Sequence, residues 1–216
     1  MRETVTLTGV VLFAQPVGEY DRRLVILSRE RGKITAFARG ARRPKSPLLL
    51  TGSPFVFATF QLFEGRDAYT LISAEAADYM TELAQRMPGV FYGYYFLELA
   101  DYYGREGLEA AGAVNLLYAA LRALIREQMP PELIRRVYEI RMLVENGDYA
   151  PPSGRANLPE AASYALRYVA SSPVSRLFAF SLTEEAMKAF AAEADKAVSR
   201  AVDKSFKSLA VIADLV

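Results

Sequence analysis

Residues 23–41, RLVILSRERGKITAFARGA, predict two β-strands joined by a tight turn. The first strand covers residues 23–28, the turn covers residues 29–32, and the second strand begins at Lys33 and runs to about residue 41. This second strand leads directly into a loop that contains prolines and several cations. We therefore expect a hairpin with a basic loop at one end.

Alternating apolar and polar residues predict three further strands on either side of this hairpin. They cover residues 4–13, 54–63 and 68–73, and the loop at residues 14–21, with its Pro and Gly, is expected to end the first of them. Five short strands in about 75 residues fit a small barrel, because closure removes exposed strand edges. The OB-fold is one such five-stranded barrel. An SH3-like barrel is the alternative, and periodicity does not separate the two.

From Ala76 onward the apolar period changes to that of an α-helix. Helices are predicted at residues 91–103, at residues 108–128 and from Pro130-Pro131 to Asn146, with further helices capped by Asn157 and Thr183. The fold class is therefore α+β. We expect a barrel domain at residues 1–76 and a helical domain at residues 77–216.

The composition argues against most catalytic chemistry. The 216-residue chain contains no Cys, no His and no Trp, which removes disulfides, thiolate nucleophiles, Ser-His relays and nearly all zinc sites. We expect no catalytic residue, metal, cofactor or small-molecule substrate. The sequence shows no apolar run of membrane-spanning length and no signal-peptide layout, so a cytoplasmic protein without membrane contact is expected.

Positive charge is concentrated at the beginning of the chain. Residues 1–50 carry ten Lys or Arg against four Asp or Glu, a net charge of +6, and the remaining 166 residues sum to −5. A clustered excess of cations is typical of a surface that binds a polyanion, although a solvated basic surface is the simpler alternative. The candidate phosphate contacts are Arg39, Arg42, Arg43 and Lys45, helped by Lys33, Arg22 and Arg23.

Aromatic residues on the predicted strands have two interpretations. Phe37, Phe55, Phe57 and Phe60 are candidates for stacking on bases, but a strand Phe is more often a core residue. The helix at residues 91–103 carries seven aromatics, which favour a bundle core over a peptide groove.

Two adjacent arginines stand on the helix that follows Pro130-Pro131. Arg135 and Arg136, beside Tyr138, are expected either to pair with acids one turn away or to form a basic rim around an apolar pocket. Such a rim suits an acidic peptide with an aromatic end.

Several motifs resemble the RecO family of bacterial recombination and DNA-repair mediators. They are Gly9-Val10-Val11-Leu12, Gly18-Glu19-Tyr20-Asp21-Arg22, Gly32-Lys33, Ala38 to Ser46, Pro54-Phe55, Thr70 to Glu75, Arg135 to Glu139 and Lys207-Ser208-Leu209. The resemblance spans most of the chain, with gaps. One departure is the region from Tyr149 to Ala156, where many family members carry a four-cysteine zinc-binding insertion and this chain has a short loop without Cys.

The resemblance implies an OB-fold followed by a helical domain, and a nucleoid-associated protein that binds single- and double-stranded DNA. It also implies strand annealing and, with the partner RecR, loading of the RecA recombinase onto DNA coated by single-strand-binding protein. The acidic C-terminal tail of that coating protein is the implied ligand of the helical domain, with Arg135, Arg136 and Tyr138 carried over as the contact.

Two other functions remain open from the sequence. The basic loop fits a protein-interaction adaptor that binds an acidic partner, and the predicted barrel fits an RNA-binding module.

Overall fold

The structure, a computed structural model, describes residues 3–152 and 158–215. The chain divides into two compact units, one made of Met1–Thr81 with Leu97–Val114 and the other of Glu82–Phe96 with Asn115–Val216. These units describe packing, whereas the domain boundary at residue 76 concerns independent folding and stays a prediction.

The first unit is built on a closed five-stranded barrel with the strand order β1-β2-β3-β5-β4. The strands are β1 (Thr4–Val17), β2 (Asp21–Ser28), β3 (Gly32–Ala38), β4 (Phe57–Phe63) and β5 (Tyr69–Asp78). All neighbouring pairs are antiparallel except β3 and β5, which are parallel through Ala36–Tyr69 and Phe37–Thr70. The α+β class and the OB-fold-like barrel predicted from the sequence are confirmed.

The barrel closes around the apolar face of each strand. Alternate residues point inward because side chains on a strand have a period of two. Small residues such as Ala36 and Ala38 leave room for large ones such as Phe60, and all three are fully buried. The interior also contains Leu7, Val11, Leu24, Ile26, Ile34, Leu62 and Leu71.

The first strand is longer than predicted. The sequence places its end at Phe13, whereas β1 continues to Val17 and Pro16 pairs with Arg22. Pairing with β4 ends at Val10, so beyond that point β1 has β2 as its paired neighbour and the proline lies on a strand edge. A proline is tolerated there because its missing N–H removes no ladder hydrogen bond.

The connection from β3 to β4 also differs from the prediction. Strand β3 ends at Ala38 instead of near residue 41, because Gly40 adopts a φ of 65°. Strand β4 begins at Phe57 instead of Pro54, because Phe55 adopts a φ of 70°. Between the strands lies a four-residue helix, α1 (Leu48–Thr51), which is too short to leave a periodic signal in the sequence.

The longer helices begin after the barrel strands. They are α2 (Gly89–Tyr103), α3 (Ala111–Arg126), α4 (Pro131–Glu145), α5 (Glu160–Ser171), α6 (Glu184–Ala201) and α7 (Lys207–Leu215). The predicted Thr183 cap is confirmed, since its hydroxyl accepts a hydrogen bond from the Ala186 N–H. The predicted Asn157 cap lies outside the described residues, and α5 instead begins after Pro159.

The core of the second unit is aromatic, as predicted for α2. Tyr95, Phe96 and Tyr138 are fully buried, and the rings of Phe96 and Tyr138 stack with centroids 4.4 Å apart. The Tyr138 hydroxyl donates a 3.0 Å hydrogen bond to the Phe96 carbonyl. Along the described parts of the chain, no helix has the length and apolar character needed to cross a membrane.

A glycine at the end of the β2–β3 turn tests the packing of the first unit. Gly32 has a φ of 65°, and a Cβ there would lie 2.0 Å from the Arg105 carbonyl oxygen and 2.4 Å from that of Leu108. We expect Gly32→Ala to lower the free energy of unfolding by about 3 kcal/mol or more, since neither backbone can move aside freely. Chemical denaturation followed by circular dichroism measures this change.

The matched control is Gly107→Ala in the same unit. Gly107 has a φ of 77°, but nothing lies within 4 Å of its Cβ position. We expect a loss of only about 1 kcal/mol there, from backbone strain alone. Equal losses at the two positions would contradict the role of the close contact.

Candidate nucleic-acid interface

The basic loop, residues 39–46, follows β3 and is anchored at its base by Asp21. The Gly40 N–H donates a 2.7 Å hydrogen bond to the Asp21 carboxylate. Positive φ values of 65° at both Gly40 and Lys45 bend the chain sharply. The bends allow consecutive cations to stand clear of the barrel wall: Arg39, Arg42, Arg43 and Lys45 are all exposed.

The turn between β1 and β2 supports this loop from the side. The Arg42 N–H donates a 2.8 Å hydrogen bond to the Tyr20 carbonyl, and the Arg42 guanidinium lies 3.4 Å from the Gly18 carbonyl oxygen. The Arg43 guanidinium carbon lies 5.2 Å from the centroid of the Tyr20 ring. A cation over a ring is held by the ring quadrupole and keeps its full charge. The loop backbone is therefore fixed while its cations stay charged and accessible.

Arg22 is engaged inside the protein. One terminal nitrogen of its guanidinium, Nη1, donates to the carbonyls of Leu49 and Gly52, each at 2.9 Å. These carbonyls flank the end of α1, where helix geometry leaves carbonyl oxygens without internal partners. Arg22 therefore positions the segment that follows the basic loop.

Lys33 is likewise engaged, and Arg23 is not. The Lys33 ammonium donates to the Asp101 carbonyl at 2.7 Å and pairs with the Asp101 carboxylate at 3.2 Å. Arg23 is exposed, with its guanidinium 3.5 Å from the Gln15 side-chain oxygen. The structure thus places five of the seven predicted cations on the surface and two in internal bonds. Their contacts with DNA stay predictions.

The four phenylalanines predicted on the strands differ in burial. Phe55, Phe57 and Phe60 are buried in the first unit, with exposed fractions of 8%, 7% and 0%. Phe37 is 36% exposed. Of the four candidates for base stacking, Phe37 alone presents a ring surface to solvent.

The predicted peptide contact on α4 is largely internal. Tyr138 has no exposed surface, and Arg136 is 6% exposed. The Arg136 guanidinium pairs with Glu132 at 2.7 Å, with Glu139 at 3.1 Å and with Asp195 at 2.5 Å. In this conformation Tyr138 has no exposed surface and Arg136 has little, and the contact of Arg135, Arg136 and Tyr138 with a peptide stays a prediction.

Glu139 is the centre of this network, and sequence reasoning missed it. The carboxylate is fully buried and accepts hydrogen bonds from the Tyr95 hydroxyl at 2.7 Å and from Arg135 at 2.9 Å. Burial, reinforced by the Glu139 charge, raises the pKa of the Tyr95 hydroxyl well above its ordinary value. The signal was present in the acids three and four residues from each arginine, Glu132 and Glu139.

Arg135 borders a groove of about 710 Å³ in the second unit. Its apolar lining includes Val202, Phe206 and Leu209, and its other charged residues are Lys196, Lys204 and the acidic Asp195. The Lys204 ammonium lies 5.8 Å from the centroid of the Phe206 ring. Sequence reasoning missed this groove; apart from Arg135 on α4, its lining residues all come from residues 195–210.

The described residues contain no cluster of three or more His, Cys, Asp or Glu side chains arranged to hold a metal ion. Residues 153–157, part of the loop where the resemblance implies a zinc-binding insertion in other family members, lie outside the described part of the chain.

Arg22 offers a test of its positioning role. We expect Arg22→Ala to lower the free energy of unfolding by about 1–3 kcal/mol, because the carbonyls of Leu49 and Gly52 lose a charged donor. Hydrogen exchange of the amides at residues 48–53 should accelerate.

The control Arg23→Ala, at an exposed side chain, should change stability by about 0.5 kcal/mol or less. Unchanged exchange in the Arg22 variant would contradict the assignment.

Comparison with known proteins shows which family this chain resembles. The sequence model described as "Recombination protein O N terminal" matches residues 1–80, which include the barrel and the basic loop. Several relatives carry the name "DNA repair protein RecO". The chain is 26% identical over 241 residues to the one from Acetivibrio thermocellus, and the match covers 96% of each chain.

Two other relatives are more similar over a shorter region. The chain is 36% identical over 139 residues to the protein of Alkaliphilus metalliredigens, a match that covers 64% of this chain and 56% of the relative. It is 34% identical over 146 residues to that of Desulforudis audaxviator, which covers 68% of this chain and 57% of the relative. In these two cases the match spans little more than half of the relative's length. The chain belongs to the RecO family.

Proposed function

We propose that this chain is a non-enzymatic recombination mediator that binds single- and double-stranded DNA through the basic loop and promotes strand annealing. The single observation that carries the proposal is a fixed loop with four exposed cations. Among the residues that the structure describes, none of the four forms an ion pair with a carboxylate. Membership of a family of recombination proteins supports the same function.

The proposed mechanism is charge neutralisation. Each cation that contacts a phosphate releases a condensed counterion, which favours binding without regard to base sequence. Two complementary strands repel each other through their phosphates. Holding both against Arg39, Arg42, Arg43 and Lys45, with Arg23 beside them on β2, lowers that repulsion while the bases pair.

The proposal extends to protein partners. With RecR, the chain would load RecA onto DNA coated by single-strand-binding protein, in the cytoplasm and at the nucleoid. The family relationship supports these partners.

The groove beside Arg135 supports binding of the acidic tail of single-strand-binding protein. Lys196 and Lys204 provide positive charge for carboxylates, whereas the charge of Arg135 is already compensated by Glu132, Glu139 and Asp195. Phe206 and its apolar neighbours provide a surface for an aromatic end group. This combination of charge and apolar surface suits an acidic peptide better than a polynucleotide.

The basic loop is tested by its effect on salt dependence. Replacing Arg39, Arg42 and Arg43 together by Ala should weaken binding to any single-stranded oligonucleotide. The slope of log K against log salt should become shallower by about 2, from about 0.7 per lost contact. Fluorescence anisotropy with a labelled oligonucleotide at several salt concentrations measures both quantities.

The matched control replaces three exposed arginines of the second unit, Arg167, Arg176 and Arg200, by Ala. The change in net charge is identical, but the slope should stay as in the unaltered protein. An unchanged slope in the loop variant would overturn the assignment of the loop to DNA.

The same titration addresses the other functions. If the unaltered chain binds no oligonucleotide at low salt, an adaptor for an acidic protein is favoured. If RNA of the same sequence competes more strongly than DNA, an RNA-binding module is favoured.

The groove is tested with a labelled peptide of the acidic tail. Changing Lys196 and Lys204 together to Glu should weaken peptide binding by about tenfold or more, because attraction becomes repulsion. Lys188→Glu is the control, since Lys188 lies on α6 as Lys196 does, pairs with Glu184 and does not line the groove. Equal weakening by both variants would contradict the groove as the site.

A further inference from the structure

Phe37 lies in a row of side chains on the outer face of the barrel. It is paired with Arg23 of β2, and Arg23 is paired with Gln15 of β1. On its other side Phe37 is level with Thr70 of β5. Cross-strand partners share a face of the sheet, so the Arg23 guanidinium and the Thr70 hydroxyl flank the exposed ring, and the Gln15 amide lies one strand beyond Arg23.

Part of the Phe37 side chain is exposed among polar neighbours. The adjacent residues Ala36 and Ala38 point inward and are fully buried, whereas Phe37 is 36% exposed. Its neighbours on the same face of β3, Lys33 and Thr35, are polar. The exposed part of the ring, about a third of the residue's surface, is available to a ligand.

A concavity of about 210 Å³ begins next to this row. Val25 and Thr35, the next cross-strand pair on the same face, form part of its lining. Its charged lining includes Arg23 and Lys33 together with Asp67, Asp101 and Glu106. Lys33 pairs with Asp101, and the other two carboxylates repel phosphate, so a nucleic acid at this place would direct its bases toward the concavity.

The charges along β3 define an orientation for such a strand. Lys33 pairs with Asp101 where β3 begins, and β3 ends at Ala38, directly before the basic loop. Phosphates are therefore favoured at the loop end and beside Arg23. Phe37 is paired with Arg23 and precedes the basic loop by two residues. Its ring therefore lies where a base of the same nucleic-acid strand would be.

We propose that Phe37 is a base-stacking platform that gives the chain a preference for single-stranded over duplex DNA. The proposal rests on the proposed function, in which the basic loop holds phosphates. A base of a single strand is free to unstack from its neighbours and lie on the ring. In a duplex the bases are paired and stacked, so the ring has no base to contact, and duplex binding depends on the cations.

The first test compares two DNA forms. Phe37→Leu should weaken binding of a single-stranded oligonucleotide by about 5- to 100-fold, the range typical of loss of one stacked base. Binding of a duplex of the same length should not change, and the salt slope should not change, because no cation is lost. Phe37→Tyr keeps the ring and should keep the preference. Tyr79→Leu removes another exposed aromatic of the first unit and should have no effect.

The second test reports the contact itself and does not depend on affinity. The chain contains no Trp, so Phe37→Trp introduces a single indole fluorophore. Saturating single-stranded DNA should quench its emission through stacking, and saturating duplex should not. Tyr79→Trp should remain unquenched by both. Absence of quenching with the single strand would overturn the proposal even if the leucine variant were misfolded.

The loop variant separates failure of this inference from failure of the proposed function. Suppose that the triple loop variant has a shallower salt slope, and that Phe37→Leu either weakens single-strand and duplex binding equally or weakens neither. The stacking proposal is then wrong and the loop assignment stands. If the loop variant is unaltered while the Phe37 variants lose only single-strand binding, the stacking proposal stands and the loop assignment is wrong.

Discussion

Closure of the barrel through the parallel pairing of β3 and β5 is the constraint on which the candidate site depends. Only two residue pairs, Ala36–Tyr69 and Phe37–Thr70, form it. Because β3 has β5 as its neighbour, and β4 lies between β5 and β1, the chain must cross from one side of the barrel to the other before β4 begins. The basic loop and α1 are this crossing. A loop that spans a barrel end has little regular structure of its own, so Asp21 and Arg22 hold it from outside.

The same closure explains which parts of the barrel the sequence could predict. Alternation identifies the strands because the inward face of each is apolar, and the Thr183 cap is a local feature. The outward position of Phe37 was also readable, since Lys33 and Thr35 share its face of β3. The length of β1 was not readable, because it depends on where pairing with β4 ends. The partners of Arg22 and Lys33 were equally hidden, since the Leu49 carbonyl and Asp101 are distant in sequence.

In the second unit, two arginines of α4 form internal ion pairs. Arg136 and Arg135 lie on a helix whose spacing brings Glu132 and Glu139 onto the same side, and Asp195 arrives from α6. A fully buried carboxylate such as Glu139 is stable only if several donors compensate its lost hydration, and Tyr95, Arg135 and Arg136 supply them. The sequence shows the acids on α4, but it does not show Asp195, which lies 59 residues from Arg136. A pair of adjacent arginines was therefore insufficient to predict a binding rim.

Comparison of the two arginine clusters indicates what makes one of them a candidate for phosphate. A cation already paired with a carboxylate must give up that partner before it can bind a phosphate, so its net gain is small. At the basic loop, the nearby carboxylate of Asp21 is occupied by the Gly40 N–H, and Arg43 lies against the neutral ring of Tyr20. On α4, Arg135 and Arg136 each lie within 4.0 Å of three carboxylates. The number of cations is visible in the sequence, but whether a cation is available to bind a phosphate depends on where the acids lie after folding. This availability distinguishes the cations on the surface of the barrel from those inside the helical unit.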